Sequence, residues 1–264
     1  MDLRLNDKTA LVTGSTAGIG FAIAQALAKE GASVIVNGRS DKRVDAAVKK
    51  IQNSGACGKL QGIAADLGTV DGVRRTIDGF PQVDILVNNL GIYEPKPFEQ
   101  ITDDDGLRFF EVNVLSGVRL SRHYLPGMKE RDWGRVVFIS SESAVQIPTE
   151  MIHYGMTKTA QLAISRGLAE TTAGTNVTVN AVLAGPTASE GVGDFVRRLA
   201  QDQGTDAVTV EKEFLRSVRP TSLLKRFATP EEVAALIAFV CSPLSSATNG
   251  AALRADGGVV RSIV

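Results

Sequence analysis

Tyr154-Gly155-Met156-Thr157-Lys158 sets a phenol and an ammonium four residues apart, a spacing that places both on one face of a helix. A phenol with a pKa near 10 is a poor acid–base catalyst at neutral pH. A cation beside it stabilises the phenolate and draws that pKa toward the working range. Ser141, upstream at the end of the apolar run Val136 to Ile139, can hydrogen-bond a substrate oxygen, or can satisfy strand-end backbone groups and do nothing more.

A second group of residues suits an anion. Thr13-Gly14-Ser15-Thr16-Ala17-Gly18-Ile19-Gly20 falls where a first strand should turn into a first helix. Glycines there let the backbone approach a pyrophosphate, and a helix N-terminus offers free N–H groups and the positive end of its dipole. The Gly-x-x-x-Gly-x-Gly spacing differs from the common dinucleotide fingerprint, and a tight strand-to-helix turn alone would also want glycine. About 20 residues on, a carboxylate would accept bonds from a ribose 2′-hydroxyl. The chain instead reads Asn37-Gly38-Arg39-Ser40. A guanidinium at Arg39, with Ser40 beside it, can pair with a 2′-phosphate; the alternative is an exposed loop arginine. The expectation is NADP(H) in preference to NAD(H).

Elements must hold these groups in place. β-Branched runs recur at Thr9–Thr13, Ser33–Val36, Asp84–Val87, Arg135–Ile139 and Val177–Val182. Most lack period-two alternation, as strands buried on both faces of a parallel sheet should. Ala-rich stretches of helical length lie between them, such as Ile19 to Glu30 and Lys42 to Gln52. Strand then helix, repeated, implies right-handed crossovers and a doubly wound sheet. Gly31 is placed for a left-handed helix cap. Thr229-Pro230-Glu231-Glu232 predicts a capping box opening a helix that is apolar all round from Val233 to Val240, hence buried. From Thr187 to Arg226 the chain is charged and weakly periodic, punctuated by Gly191, Gly193, Gly204 and Pro220. A stretch that long between strands is more often a substrate lid than filler.

In their order, Thr13-Gly14-x-x-x-Gly18-Ile19-Gly20, Asp66, Asn88-Asn89-Leu90-Gly91, Asn113, Ser141, Tyr154-x-x-x-Lys158 and Ala184-Gly185-Pro186-Thr187 closely resemble the short-chain dehydrogenase/reductase family, over nearly the whole chain from Asp7 to Asp256-Gly257-Gly258. The resemblance implies an α/β fold: one Rossmann-type, doubly wound parallel sheet of about seven strands, helices on both faces, spanning residues 1–264, with a lid at about 187–226. It implies a ketone/alcohol oxidoreductase in which Tyr154 is the general acid/base. Lys158 would bind the nicotinamide ribose and depress the pKa of Tyr154, Ser141 would polarise the substrate oxygen, and Asn113 would anchor a water linking Lys158 to solvent. The cofactor would lie on Gly14, Ser15, Thr16, Gly18, Ile19 and Gly20, with Arg39 and Ser40 at the ribose. Asp66 and Leu67 would take the adenine, Asn89 and Gly91 the middle, and Gly185, Thr187 and Ser189 the carboxamide. Asn88 would brace the sheet. A Gly-x(5)-Asp-Gly-Gly ending, here Gly250 to Gly258, implies a homotetramer.

Departures from the family pattern touch cofactor contacts rather than reacting groups. Leu90 stands for Ala, narrowing the space beside the cofactor; Ala184 stands for Pro and Ser189 for Thr. Gly106 occupies a helical site often aromatic, at a cost of about 1 kcal/mol relative to Ala. Further substrate-pocket candidates are Tyr93, Glu142, Gln146, Ile147 and Met151. His153 points elsewhere than its neighbour Tyr154 and is read as wall or interface. Arg197, Arg198, Arg216 and Arg219 could clamp an acidic substrate, although a solvated, salt-bridged face is the plainer reading.

Composition narrows the rest. Lys plus Arg is 29 and Asp plus Glu is 29, so the chain carries no electrostatic footprint for nucleic acid or an anionic membrane. The longest apolar stretch, Val233 to Cys241, is about half of a bilayer span. The N-terminus shows no secretory h-region. Cys57 and Cys241 are too few for a disulfide framework, and with His123 and His153 they show no metal-ligand spacing. A cytoplasmic protein is expected. The alternatives to a ketone/alcohol oxidoreductase are a 3-oxoacyl thioester reductase of fatty-acid type and a non-catalytic NADP(H) sensor, which would be expected to lack the Tyr or the Lys.

Overall fold

The computed structural model describes residues 1–190, 192–193, 200–202 and 204–263. Parallel strands β1 (Thr9–Val12), β2 (Ser33–Gly38), β3 (Leu60–Ala64), β4 (Ile85–Asn88), β5 (Gly134–Ser141), β6 (Val177–Ala184) and β7 (Ala252–Ala255) form one seven-stranded sheet in the order β3-β2-β1-β4-β5-β6-β7. Helices α1 (Gly18–Lys29), α2 (Asp41–Gln52), α3 (Val70–Gly79), α4 (Asp103–Phe110), α5 (Ser116–Glu130) and α6 (Ile152–Glu170) lie between the strands. Two more, α7 (Ala207–Ser217) and α8 (Pro230–Val240), follow β6.

The near-continuous apolar strands are filled on both sides. Along β1, Ala10 and Val12 join the core beneath α1, α2 and α8, while Leu11 joins that beneath α3, α5 and α6. Ile23 and Leu27 of α1 meet Val233 and Ile237 of α8 with no exposed surface. Each such side chain contributes about 1.5–3 kcal/mol by leaving water. Gly31 closes α1 at φ +90°, and the capping box of α8 forms between Thr229 and Glu232.

The strands without a β-branched run are the two edges. β3 (Leu60-Gln61-Gly62-Ile63-Ala64) and β7 (Ala252-Leu253-Arg254-Ala255) are partly exposed, and an edge strand needs less apolar surface than a central one. In α4, Gly106 faces open space, with nothing within 4 Å of a Cβ added there. The charged stretch after β6 contains α7 and a small core of its own, in which Val210, Leu215 and Phe227 are buried with Ala200.

Candidate active site

The strand order reverses direction between β1 and β4, and in open parallel sheets the crevice at the carboxyl ends of such strands receives ligands. The loop leaving β1 carries Gly14 and Gly18 at φ +61° and +57°, a region L side chains avoid. A Cβ on Gly20 would sit 2.4 Å from Asn89 Nδ2 and 2.5 Å from the Gly14 carbonyl, so α1 must begin with glycine to come this close. At the start of α1, Ala17 supplies no side-chain cap and the first turn holds no acid. Its N–H groups are therefore left for an external acceptor.

Polar side chains fix this loop from behind. Asn37 Oδ1 accepts from the Gly14 N–H at 3.0 Å, while its Nδ2 donates to the carbonyls of Ile63 and Ala65. Asn89 Nδ2 donates to the carbonyls of Thr13 and Gly14. Asn89 thus braces the loop, and Asn88, at the end of β4, donates to the Ser121 hydroxyl of α5. The Ser15 hydroxyl also points inward, donating to the Val12 carbonyl at 2.7 Å from a fully buried position. The Ser15 N–H is likewise engaged, donating to the Asn37 carbonyl at 2.8 Å. Arg39 and Ser40 are exposed just beyond β2. Asp66, past β3, is exposed with Oδ1 on the Gly68 N–H, and Leu67 is buried.

At the other end of the crevice, α6 presents Tyr154 and Lys158 on one face. Lys158 Nζ lies 5.6 Å from the Tyr154 ring centroid and donates to the Ile139 carbonyl at 2.8 Å and to Gln161 Oε1 at 3.2 Å. Burial pulls the Lys158 ammonium down to about 8. Burial also pushes the Tyr154 phenol above its usual value, with the Ser141 hydroxyl working against that rise. Asn113 sits in a π-helical turn, Glu111–Leu115, between α4 and α5, an irregularity common at functional sites. Its amide exchanges bonds with both main-chain groups of Ile92 and donates to Thr157. Its carbonyl accepts from Gln161 Nε2 at 2.6 Å, so Gln161 couples Lys158 to Asn113. Gln161 carried no motif; its position three residues after Lys158 is the signal that could have found it.

A cavity of about 450 Å³ joins the two ends. Gly18, Ile19, Gly20, Asn89, Gly91, Ser141, Tyr154, Lys158, Gly185, Thr187 and Ser189 all line it. Gly14, Ser15, Thr16, Arg39, Ser40, Asp66, Leu67 and Asn113 lie outside its lining. Gly185 is required for a different reason from a cofactor contact: a Cβ there would meet the Asp256 carbonyl at 2.4 Å. Asp256 in turn accepts from the Gly258 and Val260 N–H groups. The Thr187 hydroxyl donates to the Gly185 carbonyl.

The wall opposite the glycine loop is mixed. Ile92, Tyr93, Met151, Val210, Phe214 and Phe227 give apolar surface, and Glu142 and Arg219 give charge. Gln146 and Ile147 do not reach the cavity. Leu90 packs toward Gly14 and the α3–α5–α6 core instead of narrowing it. Arg219 is no free clamp for an acid. It is buried, with Nε on Glu142 Oε1 at 2.6 Å and Nη1 on Glu150 Oε1 at 3.2 Å. Arg216 is exposed and paired with Glu213; Arg197 and Arg198 lie outside the described residues. His153 is buried with its ring 4.2 Å from that of Phe109, a packing position away from the cavity.

The residues present fit a dinucleotide: an uncapped helix start, glycines that admit a backbone-close ligand, and a cavity leading from there to Tyr154. A family model described as Enoyl-(Acyl carrier protein) reductase matches residues 14–260. The chain is 52% identical over 263 residues to the Uncharacterized oxidoreductase YvaG of Bacillus subtilis (strain 168), covering 100% of both chains. It is 35% identical over 260 residues to D-beta-hydroxybutyrate dehydrogenase of Cupriavidus necator, covering 97% of this chain and 99% of that one. Its fold matches L-sorbose reductase from Gluconobacter frateurii, solved with NADPH and L-sorbose, at a TM-score of 0.93 and 30% identity over 100% of each chain.

Proposed function

The chain belongs to the short-chain dehydrogenase/reductase family of oxidoreductases, and from that premise we propose that it interconverts a ketone and a secondary alcohol with NADP(H), using Tyr154 as general acid/base. The observation that carries this reading is the shared cavity wall on which Tyr154, Ser141 and Lys158 meet, reached from the open N-terminus of α1. The nicotinamide cofactor, when bound, supplies or accepts the hydride. Gly14, Gly18, Ile19 and Gly20 would seat its pyrophosphate, and Gly185, Thr187 and Ser189 its carboxamide. Arg39 and Ser40, with no carboxylate between them and β2, would hold the 2′-phosphate. The NADPH in the sorbose reductase structure supports the same choice.

Each residue's task follows from its surroundings. The phenol of Tyr154, kept protonated by burial, delivers its proton to the carbonyl oxygen during reduction. Ser141, at the end of β5, holds that oxygen in place. Lys158, with a pKa of about 8, is mostly charged at neutral pH; it meets the ribose hydroxyls and stabilises the phenolate left behind. Asn113 and Gln161 hold Lys158 and the Gly91–Ile92 segment after β4 in register. The stretch 187–226 acts as the lid over this chemistry. Assembly as a homotetramer in the cytoplasm is part of the same proposal. Its support is the exposed apolar row Leu107, Phe110, Ile152 and Met156 on α4 and α6, a kind of surface that monomers rarely leave bare.

The test is NADPH and NADH oxidation against a panel of ketones and an acetoacetyl thioester, with Tyr154→Phe alongside. That change removes one oxygen and should lower kcat by about 10²–10⁴-fold while leaving NADPH binding intact. Turnover by Tyr154→Phe at the wild-type rate would overturn the assignment, and selective use of the thioester would move the substrate class to 3-oxoacyl carriers.

A further inference from the structure

Beside Ser141 stands a cluster in which one buried cation faces two anions, one buried and one, Glu150, 39% exposed at its outer edge. The side chains of Glu142 and Arg219 are 5% and 6% exposed. Arg219 Nε donates to Glu142 Oε1 at 2.6 Å and Nη1 to Glu150 Oε1 at 3.2 Å. The second oxygen of Glu142 accepts from the hydroxyls of Ser141, at 3.1 Å, and Ser143. Charges taken out of water are kept only when paired and hydrogen-bonded. Here the pairing is lopsided: Glu142 matches the guanidinium inside the cavity, and Glu150, behind Arg219 and 39% exposed, adds one negative charge in excess. Lys96, whose N–H donates to the Glu150 carbonyl, is matched by Asp105 at 2.5 Å, and Glu190 on the cavity lining is matched by Arg43 at 3.7 Å. Lys158 lies on the nucleotide side of Tyr154, bound to Ile139 and Gln161.

We infer that the Glu142–Arg219–Glu150 cluster is a charge filter in the substrate cavity, admitting neutral, hydroxyl-bearing ketones and rejecting anionic oxo acids. The inference rests on reading the site as a ketone reductase and adds the class of ketone. Glu142 and Arg219 both line the cavity, with apolar Met151, Val210, Phe214 and Phe227 around them. Arg219 Nε and Nη1 serve the two carboxylates and the Val218 carbonyl, so Nη2 is the edge left to offer an incoming group a donor beside a carboxylate acceptor. A substrate hydroxyl can use both, accepting from Arg219 and donating to Glu142. A substrate carboxylate can only accept, and it would do so against the excess charge. At the Tyr154 phenol, the rise due to Glu142 outweighs the fall due to Arg219.

The experiment compares 4-hydroxybutan-2-one with acetoacetate, which are alike in size and differ in a hydroxymethyl against a carboxylate. Wild type should favour the hydroxyketone in kcat/KM by tenfold or more. Glu150→Gln removes one charge without touching the Glu142–Ser141 contact. One charge acting over roughly 8 Å at an intermediate dielectric is worth about a fivefold change, so the ratio should narrow by about that much. Glu142→Gln should narrow it further and also lower kcat, because Ser141 loses its carboxylate partner. Equal kcat/KM for the two ketones in wild type would overturn the filter, as would an unchanged ratio in a Glu150→Gln protein that melts normally. Calorimetry of butane-1,3-diol and 3-hydroxybutanoate binding to the NADP-loaded protein reads the same preference without turnover. Tighter binding of the diol sustains the filter even if neither ketone is reduced, in which case the ketone-reductase reading alone falls. Equal or tighter binding of the acid ends it.

Discussion

The two walls of the cavity are built on different principles. The nucleotide wall is main chain: glycines at the ends of β1, β4 and β6, pinned from behind by Asn37, Asn89 and Thr13. The substrate wall is side chain: Glu142 from the β5–α6 connection meets Arg219 from beyond α7, 77 residues away, with Glu150 behind the guanidinium. Strand order alone dictates where the first wall stands, because adjacent parallel strands bring their carboxyl ends together. Nothing in the sheet dictates the second. A wall of backbone tolerates almost no added atom, whereas a wall of side chains can be rewritten while the sheet stays as it is. One scaffold can then keep its cofactor and change its substrate.

Gly20→Val tests the stiffness of the first wall and should have the largest effect. Its Cβ would lie 2.4 Å from Asn89 Nδ2 and 2.5 Å from a carbonyl oxygen. Relieving that overlap costs about 1–3 kcal/mol of stability and tilts the start of α1 away from the loop. The expected result is a lower melting temperature with NADPH binding lost; a normal melt with normal NADPH affinity would show that the loop yields more than its packing suggests. Arg39→Ala probes a place at the adenosine end where the nucleotide wall depends on a long side chain. Losing a charge-assisted contact to the 2′-phosphate removes about 1.5–3 kcal/mol, so KM for NADPH should rise about 10- to 100-fold while KM for NADH stays fixed. Parallel changes for both nucleotides would place Arg39 outside the ribose site.

Legibility in the sequence follows the same division. The central strands could be read because burial on both faces demands uninterrupted apolar runs such as Val136 to Ile139. The edge strands β3 and β7 face that demand on part of their surface and left no run to see. Tyr154 and Lys158 could be placed together because four residues make one helical turn. Gln161 completes the same face without belonging to any motif. The inward hydroxyl of Ser15 and the different partners of Asn88 and Asn89 depend on which way a single side chain turns at a strand end, a choice that pattern does not encode. Arg219 was visible only as one of several arginines in a charged stretch. Its burial between two glutamates is a product of tertiary packing.

Lys158 stands where the two walls meet, and its titration sharpens the comparison at the smallest scale. Its ammonium belongs to the nucleotide side, yet its burial is completed by the α6 face that carries Tyr154. In the unfolded chain a lysine holds its proton to about 10.4; in the folded protein burial lets it go at about 8. Between these values the unfolded state binds more protons, so raising the pH favours the folded state. Below about pH 8 the cost of burying the ammonium is fully present; above it that cost is relieved by up to about 1.4 kcal/mol per pH unit. Cys241, pushed by burial from 9.0 to about 12, pulls the other way once its unfolded thiol ionises, so the wild-type curve alone mixes the two. Subtracting the Lys158→Met curve removes the thiol's part. The stability of wild type relative to Lys158→Met, measured without nucleotide, should therefore rise by about 1 kcal/mol between pH 8 and 9. A flat difference would mean that Lys158 is not desolvated without nucleotide, and that the cavity floor admits water until the cofactor closes it.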